Sequence, residues 1–93
     1  ADDERIENAF TLRVMNTDEA PHRYAVGVTG IDGIRIDGEA VIEVPAVSSK
    51  SVTVVASVPD GKGRKGSNPI MFDIRAQDRD DIVVHEKASF FLP

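Results

Sequence analysis

The sequence has 93 residues, a formal net charge of −5 at pH 7 and no cysteine. This length predicts one domain with a modest core, and the acidic charge argues against non-specific binding to nucleic acid or anionic lipid. Without cysteine the chain can form no disulfide, no thiolate nucleophile and no cysteine-bound zinc or iron–sulfur cluster.

The ends of the chain indicate a domain cut from a longer protein. The chain opens Ala1-Asp2-Asp3-Glu4 without an initiator methionine and closes Leu92-Pro93. No apolar run approaches the roughly 18 residues that span a membrane as a helix, and no signal peptide is visible. Residues 1–8 are polar and predict a leading arm or a short strand, whereas residues 9–93 predict the folded domain.

Apolar and polar side chains alternate in two runs that flank a polar turn. Every second side chain is apolar in residues 10–15, and again in residues 24–28. Period-two alternation is typical of a strand with one buried face. The segment between them, residues 16–22, is rich in Asn, Asp and Pro, which favour turns. We therefore expect two neighbouring antiparallel strands.

Turn residues divide the rest of the chain into further short alternating runs. The complete pattern predicts seven strands, over residues 9–16, 23–29, 34–36, 39–44, 50–58, 69–77 and 82–92. It is typical of an all-β fold, an immunoglobulin-like or fibronectin-like antiparallel β-sandwich. Because the chain lacks both Cys and Trp, the predicted core is aliphatic and aromatic: Phe10, Leu12, Val14, Tyr24, Val26, Val28, Val52, Val54, Ile70, Phe72, Ile74, Phe90 and Leu92.

The last predicted strand contains one exception to its pattern. Glu86 has the parity of the apolar residues, whereas His85 has the outward parity. A charged residue on the inward side indicates a bulge or a position at the rim of the sandwich.

A glycine-rich segment matches the dinucleotide pattern G-x-G-x-x-G. It reads Gly-Lys-Gly-Arg-Lys-Gly over residues 61–66 and is followed by a predicted strand. Phosphate binding by this motif requires a helix directly after it. We therefore predict a flexible solvated loop over residues 60–67, the most mobile internal segment. Its three positive charges leave open contact with an acidic partner or with lipid headgroups.

Two acidic clusters fall at predicted turns. Asp78-Arg79-Asp80-Asp81 forms one, and Asp32, Asp37 and Glu39 lie near another. Neither has the spacing of a calcium-binding EF-hand loop, and Asp is common in turns for local reasons. We interpret both as solvated turns and keep calcium as the alternative.

The chain offers few residues for metal or catalytic chemistry. His22, His85, Met15 and Met71 are types that bind copper, but no two of them are spaced as a pair within one strand. Ordinary surface or rim positions are the simpler interpretation. No serine lies at a strand-to-helix elbow, so we predict no enzyme activity and no catalytic, cofactor-binding or metal-binding residue. Phe91 is the candidate for an exposed aromatic contact.

With the strands placed, several segments have a specific wording: residues 6–8 and 12–24 above all, and then 38–46, 66–72 and 86–90. In these segments the chain resembles the C-terminal domain of the FixG (CcoG) family of cytochrome c oxidase accessory proteins. The most specific block, a candidate interaction site or signature, contains Asn16, Thr17, Asp18, Glu19, Pro21, His22, Arg23 and Tyr24.

The resemblance implies a functional context. Family members are bacterial inner-membrane proteins that bind iron–sulfur clusters outside this domain and act in oxidase maturation, and the C-terminal module is expected in the periplasm. It implies a non-catalytic module. The net charge of −5 and the lack of an apolar span predict that this module is not inserted in the membrane, and we expect it to be monomeric in isolation. This module would dock to oxidase assembly components or to another membrane or periplasmic protein, and not to nucleic acid. A copper-binding module and a purely structural cap or spacer remain open.

The signature block also has a purely structural interpretation. Asn16 and Asp18 would bond to loop backbone, and Tyr24 would pack as a corner residue. Such bonds from side chain to backbone are the usual role of Asn and Asp near turns.

Overall fold

A computed structural model describes residues 4–38, 40–79 and 81–93. Over these ranges the chain forms seven strands and no helix: β1 Arg5–Asn16, β2 His22–Thr29, β3 Arg35–Asp37, β4 Val41–Val44, β5 Ser48–Pro59, β6 Gly66–Ala76 and β7 Val83–Leu92. The predicted all-β class and the order of the strands are confirmed. Glu39, in the predicted fourth strand, lies outside the described residues.

The strands form two antiparallel sheets. One has the order β1-β5-β3 and the other β4-β2-β6-β7. The prediction that the first two strands are neighbours is therefore wrong, because β1 pairs with β5 and β2 pairs with β4 and β6. Alternation identifies a strand but carries no information on its partner. The turn after β1 takes the chain across to the opposite sheet.

The first strand is longer than its hydrophobic pattern indicates. β1 begins at Arg5, so Arg5–Asn8 continue the sheet, whereas Ala1–Asp3 of the predicted arm lie outside the described residues. These added residues pair with the end of β5, in register from Arg5 with Pro59. The Arg5 guanidinium strengthens this corner by donating to the carbonyls of Gly33 and Ser57, at 2.7 and 2.9 Å.

The core lies between the two inward faces. All thirteen predicted core residues either belong to the buried cluster or pack against it, with Phe10, Val28 and Val52 only partly buried. Phe10 meets the fully buried Phe72 edge-on, with ring centroids 5.1 Å apart. Strand parity is therefore enough to identify the core, because a one-residue shift in register would expose the whole apolar set.

The pairing of the edge strand β7 shows whether Glu86 lies in a bulge or at the rim. Pairing between β6 and β7 runs without interruption from Gly66 with Leu92 to Arg75 with Val83, so the strand contains no bulge at Glu86. Glu86 and Val84 are exposed, although their parity is inward. The first half of β7 thus lies at the rim, the second of the two predicted positions.

An asparagine joins the two sheets at one corner. The Asn8 amide donates to the Phe91 carbonyl at 3.1 Å, and the Phe91 N–H donates to the Asn8 Oδ1 at 2.9 Å. The side chain of Asn8, which belongs to the other sheet, therefore bonds both the N–H and the C=O of Phe91 at the edge of β7. A further strand beside β7 would make the same two bonds.

Candidate functional site

The signature block forms one end of the sandwich, around the buried side chain of Asn16. Asn16 is only 3% exposed. Its Nδ2 lies 2.9 Å from the Ala20 carbonyl and 3.2 Å from the carbonyls of Val44 and Pro45, and its Oδ1 accepts from the Asp18 N–H at 3.0 Å. One amide thus organises the turn after β1 and ties it to the end of β4.

His22, the first residue of β2, is buried between two carboxylates. Its Nε2 lies 2.8 Å from Asp18 Oδ2, and its Nδ1 lies 2.7 Å from Asp78 Oδ2. The expectation of an ordinary surface or rim position is wrong, because the imidazole is only 6% exposed. The turn after β1 and the loop after β6 converge on it, a long-range contact that spacing within one strand does not reveal.

The geometry around His22 favours the imidazolium form. Ionised carboxylates only accept hydrogen bonds, and a neutral imidazole can donate only one. The hydrogen bonds that the ring donates to Asp18 and to Asp78 raise the pKa of His22 above its usual 6.5, against the opposing effect of burial. In its imidazolium form, His22 therefore links two acidic loops whose carboxylates would otherwise repel each other.

Tyr24 packs beside this histidine as the predicted corner residue. It is buried, and its ring meets His22 edge-on with centroids 6.2 Å apart. Burial raises the pKa of the Tyr24 phenol, and the negative charges of Asp18 and Asp78 add to the shift. The phenol is accordingly neutral, and its contribution is packing.

The network extends to a strained backbone position and to a surface arginine. Val47 has a φ of 49°, and its N–H donates to the Asp18 carbonyl at 3.0 Å. A β-branched residue in this left-handed region is a true outlier. Arg79 lies 3.8 Å from Asp18 and pairs with Asp81 at 3.1 Å, which lowers the pKa of Asp81.

The structure brings together only part of the predicted site. Asn16, Asp18, His22 and Tyr24 converge as described. The carboxylate of Asp18, however, bonds the His22 ring and not loop backbone, which corrects that detail. The other members of the block, Thr17, Glu19, Pro21 and Arg23, are exposed.

Two exposed candidates have few contacts of their own. Arg23 makes a loose ion pair with Glu43 at 3.9 Å. Phe91 is 59% exposed, as predicted, but it lies near the end of β7, which is at the opposite end of the sandwich. The signature block and Phe91 therefore cannot belong to one site.

The donor set does not fit a shared metal ion. The two carboxylates at His22 lie on opposite ring nitrogens, so their oxygens do not converge on one point. His85 bonds Asp73 across the β6–β7 pair at 2.6 Å. Among the described residues there is no group of three His, Cys, Asp or Glu side chains that could hold a metal ion.

The acidic turns contain ion pairs. Lys62 lies 3.3 Å from Asp32, and Arg35 donates to Asp37 at 2.9 Å and lowers its pKa. Glu39 and Asp80, also named as acidic candidates, lie outside the described residues. The ordinary turn interpretation accounts for Asp32, Asp37 and Asp81, whereas Asp78 departs from it by bonding the buried His22.

The glycine-rich loop has an anchor that its composition does not reveal. Asn68 is buried, accepts from the Arg64 N–H at 2.9 Å and donates to the Arg64 carbonyl at 2.6 Å. Gly63 lies against Leu92, where a Cβ would come within 2.6 Å of the leucine methyl group. Asn68 and Leu92 therefore hold part of this loop, while its mobility stays a prediction. A strand follows the glycines, so the context of a phosphate-binding motif is missing.

Sequence reasoning missed two residues that close the ends of the sandwich. Asp78 was interpreted as part of a solvated turn, and Asn68 was assigned no contact. Asp78 bonds His22, which is 56 residues away in sequence and is brought close by the pairing of β6 with β2, whereas Asn68 bonds the nearby Arg64 and Gly66. Asn8 and Asn68 could have been singled out, because both belong to blocks of the family resemblance.

The two sheets and their packed core define an immunoglobulin-like β-sandwich domain. A family model described as "IG-like fold at C-terminal of FixG, putative oxidoreductase" matches residues 1–93. The chain therefore belongs to the FixG C-terminal domain family, and the resemblance found in the sequence is confirmed. No curated protein sequence matches the chain.

Two solved structures share the fold. One is the crystal structure of a FixG-related protein from Vibrio parahaemolyticus, with a TM-score of 0.80 and 19% identity over 92% of this chain and 78% of that chain. The other is an extracellular fragment of EsaA from Streptococcus gallolyticus, with a TM-score of 0.53 and 16% identity. The match covers 91% of this chain but only 23% of the EsaA fragment. At such identities the likeness concerns the fold alone.

Proposed function

We propose that this domain is a non-catalytic accessory module of a membrane-bound iron–sulfur protein involved in cytochrome c oxidase assembly. It docks the parent protein to a periplasmic or membrane protein partner. The observation that carries this proposal is the match of the FixG C-terminal family model to the whole chain. Iron–sulfur ligands belong to another part of the parent, because this chain contains no cysteine.

The state of the polar side chains supports binding over catalysis. A general base needs a free lone pair within reach of its substrate, but both ring nitrogens of His22 are already bonded to carboxylates. Asn16 is likewise committed to backbone groups. The signature residues therefore hold the shape of one end of the sandwich. Contact with a partner is made by the exposed surface.

Charge and tethering are consistent with docking beside a membrane. The chain has a net charge of −5, and within the described ranges no helix is long and apolar enough to cross a bilayer. A short flexible linker gives a tethered domain an effective concentration of roughly millimolar. Weak docking is then sufficient, and we expect the isolated domain to be monomeric with little affinity for its partner.

Deletion of the domain from the full-length protein tests this proposal. Mature oxidase should fall, while the iron–sulfur clusters of the parent keep their absorbance and the parent accumulates normally. Loss of the clusters would instead support the structural cap. Normal oxidase in a strain where the truncated parent accumulates would refute docking.

Copper binding is tested separately on the isolated chain. Titration with copper(I) and copper(II) should show no tight site, because His22 and His85 are engaged with carboxylates. Sub-micromolar binding that disappears in His22→Gln or His85→Gln would favour a copper-binding module.

A further inference from the structure

β1 has one edge that no described strand covers. Within the ranges 4–38, 40–79 and 81–93, β1 pairs with β5 alone. The Asp60 N–H donates to the Glu4 carbonyl at 2.9 Å, in the same register as the rest of the pair. Because hydrogen-bonded positions alternate in an antiparallel ladder, the even-numbered residues of β1 face β5. The N–H and C=O groups of the odd-numbered residues face away from it.

This free edge lacks the usual protection against pairing. Natural edge strands are short, bulged or covered, or they carry proline or charged side chains. β1 is 12 residues long, has continuous register and contains no proline, and its one charged side chain between Ala9 and Met15 is Arg13. By contrast, β3 and β4 are only 3 and 4 residues long. The edge of β7 is closed at Phe91 by Asn8.

An apolar groove lies directly beside this edge, where the two sheets separate. Val14 and Met15 of β1 form one wall, Ile82 and Val84 form the other, and Tyr24 lies between them. Met15 is 64% exposed and Val84 47% exposed. The groove is therefore open to solvent, and an additional strand beside β1 would fill it with side chains.

The groove also contains two charges of opposite sign. Arg13 lines it from β1 and Glu86 from β7. Neither forms an ion pair with any described residue. A ligand complementary to this surface carries an acidic group for Arg13 and a basic group for Glu86.

We propose that the edge of β1 from Ala9 to Met15 accepts an extended segment of the partner protein as an additional strand. Its backbone bonds the outward groups of β1, and apolar side chains at alternate positions enter the groove. An acidic residue lies near Arg13 and a basic residue near Glu86. This inference rests on the proposed docking function and names the surface that performs it.

A second copy of the chain fits this surface less well. In a dimer joined through two β1 edges, the inward side chains of each β1, such as Leu12 and Val14, stay buried in their own core. They cannot enter the groove of the other copy, so the apolar walls and both charges would remain uncovered. A separate extended segment has one face that is not buried in a core of its own, so its side chains can cover the apolar walls and both charges.

Amide exchange of the 93-residue chain with a synthetic peptide tests the edge. The probe is a blocked peptide, acetyl-Lys-Val-Thr-Val-Glu-Val-Thr-Val-Lys-amide, and its control is the same peptide N-methylated at alternate residues. We expect the amides of Ala9, Thr11, Arg13 and Met15 to exchange fast in the free chain and to become protected with the probe only. Unchanged exchange would overturn the proposal. Protection that rises with chain concentration and without peptide would replace the partner segment by a second copy.

Two matched threonine variants show whether the edge itself is required. Thr11 and Thr53 are directly paired, and their N–H groups point to opposite sides of the sheet. Proline at either position therefore leaves the β1–β5 ladder intact. Thr11→Pro should abolish peptide binding, and Thr53→Pro should retain it. Protected amides at Leu12 and Val14 verify that each variant is folded, and equal binding by both variants would refute the edge model.

Photo-crosslinking in membranes separates this proposal from the docking function itself. A photoreactive residue is placed in the full-length protein at Met15 or Val84 in the groove, and at Arg75 on the exposed face of β6 as the control. Crosslinks to a partner from the groove positions alone support strand addition. Crosslinks from Arg75 alone preserve docking and refute the β1 edge. The absence of crosslinks at all three positions contradicts both proposals.

Discussion

The two ends of this sandwich are closed by the same device, a buried asparagine, but only Asn16 has a buried histidine in its network. At one end Asn16 bonds the turn after β1 and the end of β4. At the other end Asn68 bonds Arg64 and Gly66 in the glycine-rich loop. In both cases a buried primary amide supplies donors and an acceptor to backbone groups that no sheet can satisfy.

The difference between the ends lies in what surrounds each asparagine. Asn16 has a neighbouring imidazolium that lies between Asp18 and Asp78. The direct bonds of Asn68 are all to backbone groups, which do not titrate. A single side chain can therefore close an end of the sandwich without charge, and the histidine makes one end depend on pH.

The largest effect should come from removing the Asn16 amide. Asn16→Ala leaves buried carbonyls without donors, which costs up to about 3 kcal/mol. Urea unfolding measures this loss. Asn16→Asp, which keeps the shape and the acceptor but loses the donors, should be nearly as unstable. A variant Asn16→Ala within about 0.5 kcal/mol of the natural chain would contradict the role assigned to this amide.

Asn68→Ala should cost somewhat less, about 2 kcal/mol, because part of the freed backbone lies in an exposed loop. The same variant should be cut faster by trypsin at Lys62, Arg64 or Lys65. Comparison with the natural chain tests the predicted mobility directly. Rapid cleavage of the natural chain supports a mobile loop, and slow cleavage that accelerates only in Asn68→Ala identifies the anchor as decisive.

Relief of backbone strain should stabilise the Asn16 end. Val47→Asn places a residue that tolerates positive φ at an exposed position and should raise the free energy of unfolding by about 1 kcal/mol. Val41→Asn is the control, because Val41 is also exposed but lies in extended β4. It should be neutral or destabilising. If Val47→Asn also destabilises the chain, the valine side chain contributes more than its strain costs.

The smallest effect should be a dependence of the free energy of unfolding on pH, which we expect from the His22 end and not from the Asn68 end. The pKa of His22 is raised in the folded chain, so its contribution is complete below the unfolded value of about 6.5. It is lost as the pH rises through the higher folded value. The stability gap between the natural chain and His22→Gln should therefore narrow above neutral pH, as measured by urea unfolding across this range.

Two further variants control for this pH effect. His85→Gln removes the exposed histidine and leaves the Asn16 end intact. Asn68→Ala should differ from the natural chain by an amount that stays constant over the same range. A gap for His22→Gln that also stays constant would mean that His22 acts through hydrogen bonds that do not depend on its charge.

Sequence patterns predicted the strands and the core because both depend on local alternation. Every second side chain from Ile70 to Ala76 is buried, as its parity indicates. Partner choice is a long-range property, so the placement of β1 and β2 in different sheets was not predictable from their alternation. The same limit explains the site: the family resemblance singles out Asn16 and His22, whereas the bond between Asp78 and His22 exists only in the folded chain.

The bond between Asn8 and Phe91 has a consequence for where the domain can fold. It links the two sheets with an amide, in a chain that has no cysteine. Immunoglobulin domains of antibodies use a disulfide for this purpose, and such a bond forms only in an oxidising compartment. Here the link between the sheets is independent of redox potential. The same native structure is therefore accessible in reducing and in oxidising compartments, and reducing agents should leave its stability unchanged.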